Sequence, residues 1–131
     1  MSAEPKPASM MVGAATVFTV RDIAASRDHF RDVHGFTITF EWGTPLHYVC
    51  LCRDEVQLHL LSAAQTKRQP GQTGLCIFVR DVDAVYAELK ARGANILKPP
   101  ETYAYGMRDF DVLDLDGNQI TYGMGVNESE K

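Results

Sequence analysis

The stretch "GMRDFDVLDLDGNQITYG", residues 106–123, carries two alternating runs on either side of a turn. Phe110 and Val112 alternate with Asp109 and Asp111, and Ile120 and Tyr122 alternate with Gln119 and Thr121. A period of two is the signature of a half-buried strand. Asp116-Gly117 between the runs reads as a hairpin turn, because glycine takes positive φ without steric cost. The acids invite a calcium-loop reading, which needs oxygens at alternate positions, a glycine, and a Glu about six residues on. Here Gly117 follows Asp116 at once and residue 123 is glycine, so that reading fails.

This hairpin closes the second of two similar halves. The first half opens with a β-branched run, "AATVFTV" (14–20), followed by "RDIAASRDHFRDVHGF" (21–36). The latter reads as a helix with Asp22 as N-cap, Ile23, Phe30 and Val33 near helical spacing, and Gly35 as its stop. Three strand candidates follow, "FTITFEW" (36–42), "LHYVCLC" (46–52) and "EVQLHLL" (55–61), separated by Gly43-Thr44-Pro45 and Arg53-Asp54. The second half repeats that order with "GLCIFV" (74–79), a helix over 81–94 stopped by Gly93, and a short strand "NILKP" (95–99) that Pro99-Pro100 should end. The hairpin then supplies the last two strands. "VRDI" (20–23) matches "VRDV" (79–82), Gly35 matches Gly93, and "EVQLH" (55–59) lies over "GNQIT" (117–121), at nearly constant offset. The expectation is a duplicated module and an α+β fold of two tandem βαβββ units forming curved mixed sheets around a cleft. Each sheet is too small to stand alone, so it packs against its sibling. The domain should span 12–126, with module 1 over about 12–62, a polar linker 62–73 and module 2 over about 74–124. Residues 1–11 read as a disordered extension and 127–131 as a tail.

Composition narrows the function classes. The chain has 131 residues, 45% apolar and 23% charged, as expected of a single globular domain. A net charge of −4 offers no electrostatic footprint for nucleic acid or an anionic membrane. No apolar run approaches the roughly 20 residues of a membrane span, and the N-terminus lacks the pattern of a signal peptide. Cys50, Cys52 and Cys76 match no zinc spacing and read as buried free thiols of a cytoplasmic protein.

The doubled unit, "VRD(I/V)" opening each helix and the "F-D-V-L-D-L-D-G-N-Q-I" ending together resemble the vicinal oxygen chelate superfamily of glyoxalases, extradiol dioxygenases and bleomycin resistance proteins. Metal-using members place one ligand in the first strand and one in the last strand of each module. That resemblance puts the four positions at Ala15, His59, Gly74 and Thr121, of which only His59 is a strong donor. It therefore implies no resident metal or other cofactor. Along the same strands, alternation sends Val17, Thr19, Cys76, Phe78, Gln57, Leu61 and Gln119 to the cleft and Phe18, Val20, Leu58, Leu60, Leu75, Ile77 and Ile120 to the helices.

The candidate ligand-binding residues are His59, Trp42, His47, Tyr48, Gln57, Phe78, Tyr105, Arg108, Asp109 and Thr121. Trp42 and Tyr105 either stack on a planar ligand or fill the module interface, whereas Phe110 reads as core. Arg108 and Asp109 either orient a ligand at the cleft mouth or form a solvated turn. His59 is either a ligand contact or general base, or a hydrogen-bonded histidine without chemistry. Glu41 and Glu101 are carboxylates without an identifiable partner. The resemblance is nearest to the bleomycin resistance proteins, which sequester a drug rather than modify it. It implies a homodimer that binds a small molecule without metal. The alternative is a metal-dependent glyoxalase- or dioxygenase-like enzyme with a divalent metal at a displaced site using His59 and either His47 or a carboxylate.

Overall fold

The computed structural model describes residues 8–126. Of the expected N-terminal extension, residues 8–11 are exposed and carry no helix or strand, while 1–7 and the tail 127–131 lie outside the described residues. The first module runs β1 (Thr16–Val20), α1 (Ile23–Asp32), β2 (Thr37–Trp42), β3 (Tyr48–Arg53) and β4 (Val56–Ser62). A single 3₁₀ turn, Ala63–Gln65, enters the linker. The second module runs β5 (Gly74–Phe78), α2 (Val82–Ala91), β6 (Asn95–Thr102), β7 (Met107–Leu113) and β8 (Gln119–Gly125). The sheets have equivalent orders, β1-β4-β3-β2 and β5-β8-β7-β6. In each, the first strand is parallel to the last and the other pairs are antiparallel.

The repeat extends to capping. Asp22 accepts from the Ala25 amide at 3.0 Å and Asp81 from the Ala84 amide at 3.1 Å, satisfying an otherwise unpaired amide of each helix. Gly35 and Gly93, at φ of 73° and 92°, let the chain leave each helix through the left-handed region.

One expectation fails. Pro99-Pro100 does not end β6, which runs on to Thr102. β6 is an edge strand whose register shifts between Ile96 and Lys98 and again between Lys98 and Glu101, so the missing proline amides interrupt little of the ladder.

α1 packs on sheet 1 and α2 on sheet 2. The helix-facing residues Phe18, Val20, Leu58, Leu60 and Ile120 are fully buried, with Ile77 nearly so, as the alternation required. They join Phe30, Leu89, Phe110 and Val112 in one core that both modules share. Each such side chain contributes about 1.5–3 kcal/mol on burial, which neither module could gather alone. An aromatic column crosses the junction: Phe30 lies 5.1 Å from His34, His34 6.1 Å from Tyr122, and Tyr122 5.2 Å from Phe110.

Polar ties reinforce that junction, and the hairpin turn supplies most of them. The buried Asp114 carboxylate accepts from the Asp116 and Asn118 amides and from Asn118 Nδ2, which shapes the turn. Asn118 Nδ2 also donates to the Thr19 carbonyl of module 1, and its Oδ1 accepts from the Thr73 amide of the linker. Asp116 accepts from the backbone and side chain of Arg21. Elsewhere Arg53 forms a two-pronged pair with Glu88 at 3.0 and 2.8 Å.

Candidate functional site

Because the helix faces of both sheets share one core, the other face of each sheet points outward. Register puts their side chains into rows. On sheet 1, Val17, His59, Cys50 and Phe40 form one row, and Thr19, Leu61, Tyr48 and Trp42 the next. On sheet 2, Cys76, Thr121, Asp111 and Lys98 form the row equivalent to that of His59, while Phe78, Gly123, Asp109 and Glu101 form the next. The sheets share a backbone but differ in chemistry, aromatic in module 1 and charged in module 2.

The aromatic face is ordered by strand geometry. Phe40 and Trp42, two residues apart on β2, stack with centroids 6.3 Å apart and planes 8° from parallel. They are 50% and 61% exposed, a large apolar surface for a residue pair in water. Tyr48 stands beside Trp42, and its hydroxyl lies 2.7 Å from His59 Nδ1. Partial burial, with Cys50 second, raises the Tyr48 hydroxyl above its ordinary pKa, so it keeps its proton at neutral pH.

The charged face is largely self-paired. Lys98 Nζ donates to the Asp109 carbonyl and to its Oδ1 at 3.0 and 2.9 Å, and sits 4.8 Å from the Tyr103 ring. Thr121 Oγ1 donates to Asp111 Oδ1 at 2.7 Å. Partial burial and then Asp109 and Asp111 raise the Cys76 thiol, which therefore stays protonated. A recess of about 570 Å³ opens beside Gly74, Cys76, Gln119 and Thr121, within the size range of small-molecule sites. A larger groove of about 820 Å³ lies at the module junction, floored by Phe36, Ile77 and Tyr122 and away from His59.

The candidate residues fall into several groups. His59, Trp42, Tyr48 and Gln57 share the open face of sheet 1, and Thr121, Asp109 and Phe78 that of sheet 2. Tyr105 occupies the β6–β7 turn, 70% exposed and stacked 5.2 Å from Tyr103. His47 sits in the β2–β3 turn, where its amide donates to the Trp42 carbonyl. Arg108 departs from its expected place. It lies on the helix face of β7, where two nitrogens bind Asp83 of α2 at 3.0 and 2.8 Å, because adjacent strand residues point to opposite faces. Glu41 likewise turns to the helix side and pairs with Arg27. Thr19, expected in the cleft, is 2% exposed. The cysteines are free, but Cys76 is exposed and Cys50 and Cys52 only half-buried, which corrects the expectation of buried thiols.

Sequence reasoning passed over Phe40 and Lys98. The signal for Phe40 was its spacing of two from Trp42. Lys98 lies within the expected strand, and only the pairing of β6 with β7 brings it against Asp109.

The residues present do not fit the superfamily's metal at the positions the resemblance indicates. Ala15 precedes β1, so the residue opposite His59 is Val17, and Thr121 faces Cys76. His59 is the one strong donor of the four, and the Thr121 hydroxyl donates its proton to Asp111. Among the described residues, no three His, Cys, Asp or Glu side chains converge as a metal set would.

Comparison with known proteins agrees with this fold. The family model of the Glyoxalase/Bleomycin resistance protein/Dioxygenase superfamily matches residues 14–122, and the chain belongs to that superfamily. Among similar solved structures is the bleomycin-binding protein of the bleomycin-producing Streptomyces verticillus, complexed with copper(II)-bleomycin. It shows 25% identity and a TM-score of 0.72, covering 92% of this chain and 100% of that one. A superfamily member from Sphaerobacter thermophilus shows 25% identity and a TM-score of 0.77, covering 88% and 98%. The lactoylglutathione lyase of Agrobacterium tumefaciens, at 21% identity and a TM-score of 0.71 over 92% and 96%, shares the fold. A comparison with curated proteins finds no match.

Proposed function

We propose that this protein binds a planar small molecule without a metal, in the manner of a bleomycin-type sequestration protein of the cytoplasm. The carrying observation is the exposed, near-parallel Phe40–Trp42 pair beside Tyr48 and His59. Rigid aromatic side chains held open on a strand offer stacking area at little entropic cost. The bleomycin-binding neighbour supports a small-molecule ligand of this kind.

A homodimer completes the cleft in this reading. One chain presents two half-sites, because its open faces lie on the outer sides of a shared core. β1 (TVFTV) and β5 (GLCIF) are edge strands with no charge, proline or register shift, whereas the β6 edge carries Lys98, both prolines and Glu101. Asn118 already covers the Thr19 end of β1, and the rest of these two edges is of a kind normally covered in a soluble protein. A second copy would cover them and bring the aromatic face of one chain against the charged face of the other.

Trp42 is the sole tryptophan, so binding reads directly in its fluorescence. Titration with bleomycin, flavins and other planar heteroaromatics should quench it, and sedimentation should give a dimer. Silence across that panel together with a monomer refutes the proposal. Stoichiometric nickel, zinc, iron or manganese in protein purified without chelator would overturn its metal-free part.

A further inference from the structure

The Tyr48–His59 pair contains more information than a contact. His59 is paired through Nδ1, 2.7 Å from the Tyr48 hydroxyl, with the rings at 77°. A neutral imidazole has one N–H and one lone pair, so the group bonded to one nitrogen decides what the other offers. No other acceptor for the Tyr48 hydroxyl is found among the described residues, and partial burial keeps that hydroxyl protonated. A phenol is a stronger donor than acceptor, and an imidazole sp² nitrogen is a stronger acceptor than a phenolic oxygen. With the phenol as donor, Nδ1 accepts and the ring proton of a neutral His59 is left on Nε2.

Metal-binding histidines have the opposite arrangement. They donate their second ring N–H to a carboxylate, carbonyl or water, which leaves a lone pair for the metal. Tyr48 imposes the reverse polarity at the position where the superfamily resemblance indicates a ligand. On the second module, the equivalent residue, Thr121, spends its hydroxyl proton on Asp111 Oδ1, and Asp111 Oδ2 has no partner among the described residues.

We propose that Tyr48 is a positioning residue that holds His59 in the Nε2–H tautomer, so that the aromatic face presents a hydrogen-bond donor and selects planar ligands carrying a carbonyl or carboxylate acceptor. The choice of ligand rests on the binding reading above, whereas the tautomer belongs to the free protein. Long-range ¹H–¹⁵N NMR near neutral pH tests the tautomer without any ligand. Wild type should show His59 with Nε2 protonated and Nδ1 as acceptor. Tyr48→Phe should relax this to a tautomer mixture. An Nδ1-protonated pattern in wild type overturns the proposal, as does an unchanged Nε2–H pattern in Tyr48→Phe. The wild-type result decides even if the variant folds poorly.

The ligand class is tested with quinoline-2-carboxamide against quinoline, read by Trp42 quenching. The carboxamide should bind at least several-fold more tightly, and Tyr48→Phe or His59→Leu should abolish that preference. Equal binding of the two probes in wild type overturns the acceptor selection. If both probes are silent while the tautomer is as stated, the acceptor selection falls together with the binding reading, and the positioning of His59 by Tyr48 stands.

Discussion

Acidification should weaken this fold through His34. The imidazole is fully buried at the module junction, its Nδ1 2.8 Å from the Tyr122 hydroxyl, and its Nε2 has no partner among the described residues. Desolvation, with His29 and Arg53 adding like-charge repulsion, pushes its pKa down from 6.5 to about 3. The folded state therefore keeps His34 neutral where the unfolded chain binds a proton. Stability is at full value above pH 6.5 and is lost progressively as pH falls from 6.5 toward 3. Each pH unit in that window costs about 1.4 kcal/mol, so His34 alone removes about 2 kcal/mol by about pH 5. His29, also lowered chiefly by desolvation, acts in the same direction. Against a typical domain stability of roughly 5–15 kcal/mol this is a large loss. Urea denaturation followed by far-ultraviolet circular dichroism at about pH 7.5 and about pH 5 measures it. His34→Asn should be less stable than wild type at the higher pH, and its loss on acidification should be smaller by about 2 kcal/mol. If His34→Asn keeps the wild-type pH dependence, the reasoning is refuted.

Asn118→Ala removes a fully buried amide that ties the hairpin turn to Thr19, Thr73 and Asp114, and should cost about 2–4 kcal/mol in urea denaturation. Gly71 sits at φ 80°, where an added Cβ would meet the Asp116 carbonyl oxygen, so Gly71→Ala should lose more than about 1 kcal/mol by the same measurement. Phe40→Ala, at a half-exposed position, should leave stability nearly unchanged and weaken Trp42-detected ligand binding by about 5-fold or more, the loss of roughly 1 kcal/mol of stacking. Arg108→Ala should leave ligand binding at its wild-type value and change stability by less than about 1 kcal/mol, because its partner Asp83 is largely exposed and the pair is screened by solvent.

The repeat, the two capped helices and the helix-facing residues Phe18, Val20, Leu58, Leu60 and Ile120 were legible from residues alone. They depend on local chemistry that acts within a few positions: Asp22 and Asp81 at helix starts, Gly35 and Gly93 at stops, and a period of two in β4 and β8. The extent of β6 was not legible, because a proline's cost depends on whether its strand has a neighbour on that side. The side taken by Arg108 was missed for a related reason. Turn and strand differ by one residue at its position, and one residue reverses the direction of a side chain.

The DLDGN turn shows where the two sources of information divide. Sequence alone identified a hairpin turn and rejected a calcium loop, since both judgements rest on local spacing. What the turn does was decided only by the tertiary structure, which brings Thr19, Arg21 and Thr73 against it from far along the chain. The site divides in the same way. Sequence showed that Ala15, Gly74 and Thr121 are poor metal donors, because side-chain chemistry travels with the residue. Only the cross-strand register could reveal that Tyr48 reaches His59 and Thr121 reaches Asp111, because hydrogen-bond polarity depends on which neighbour the fold supplies.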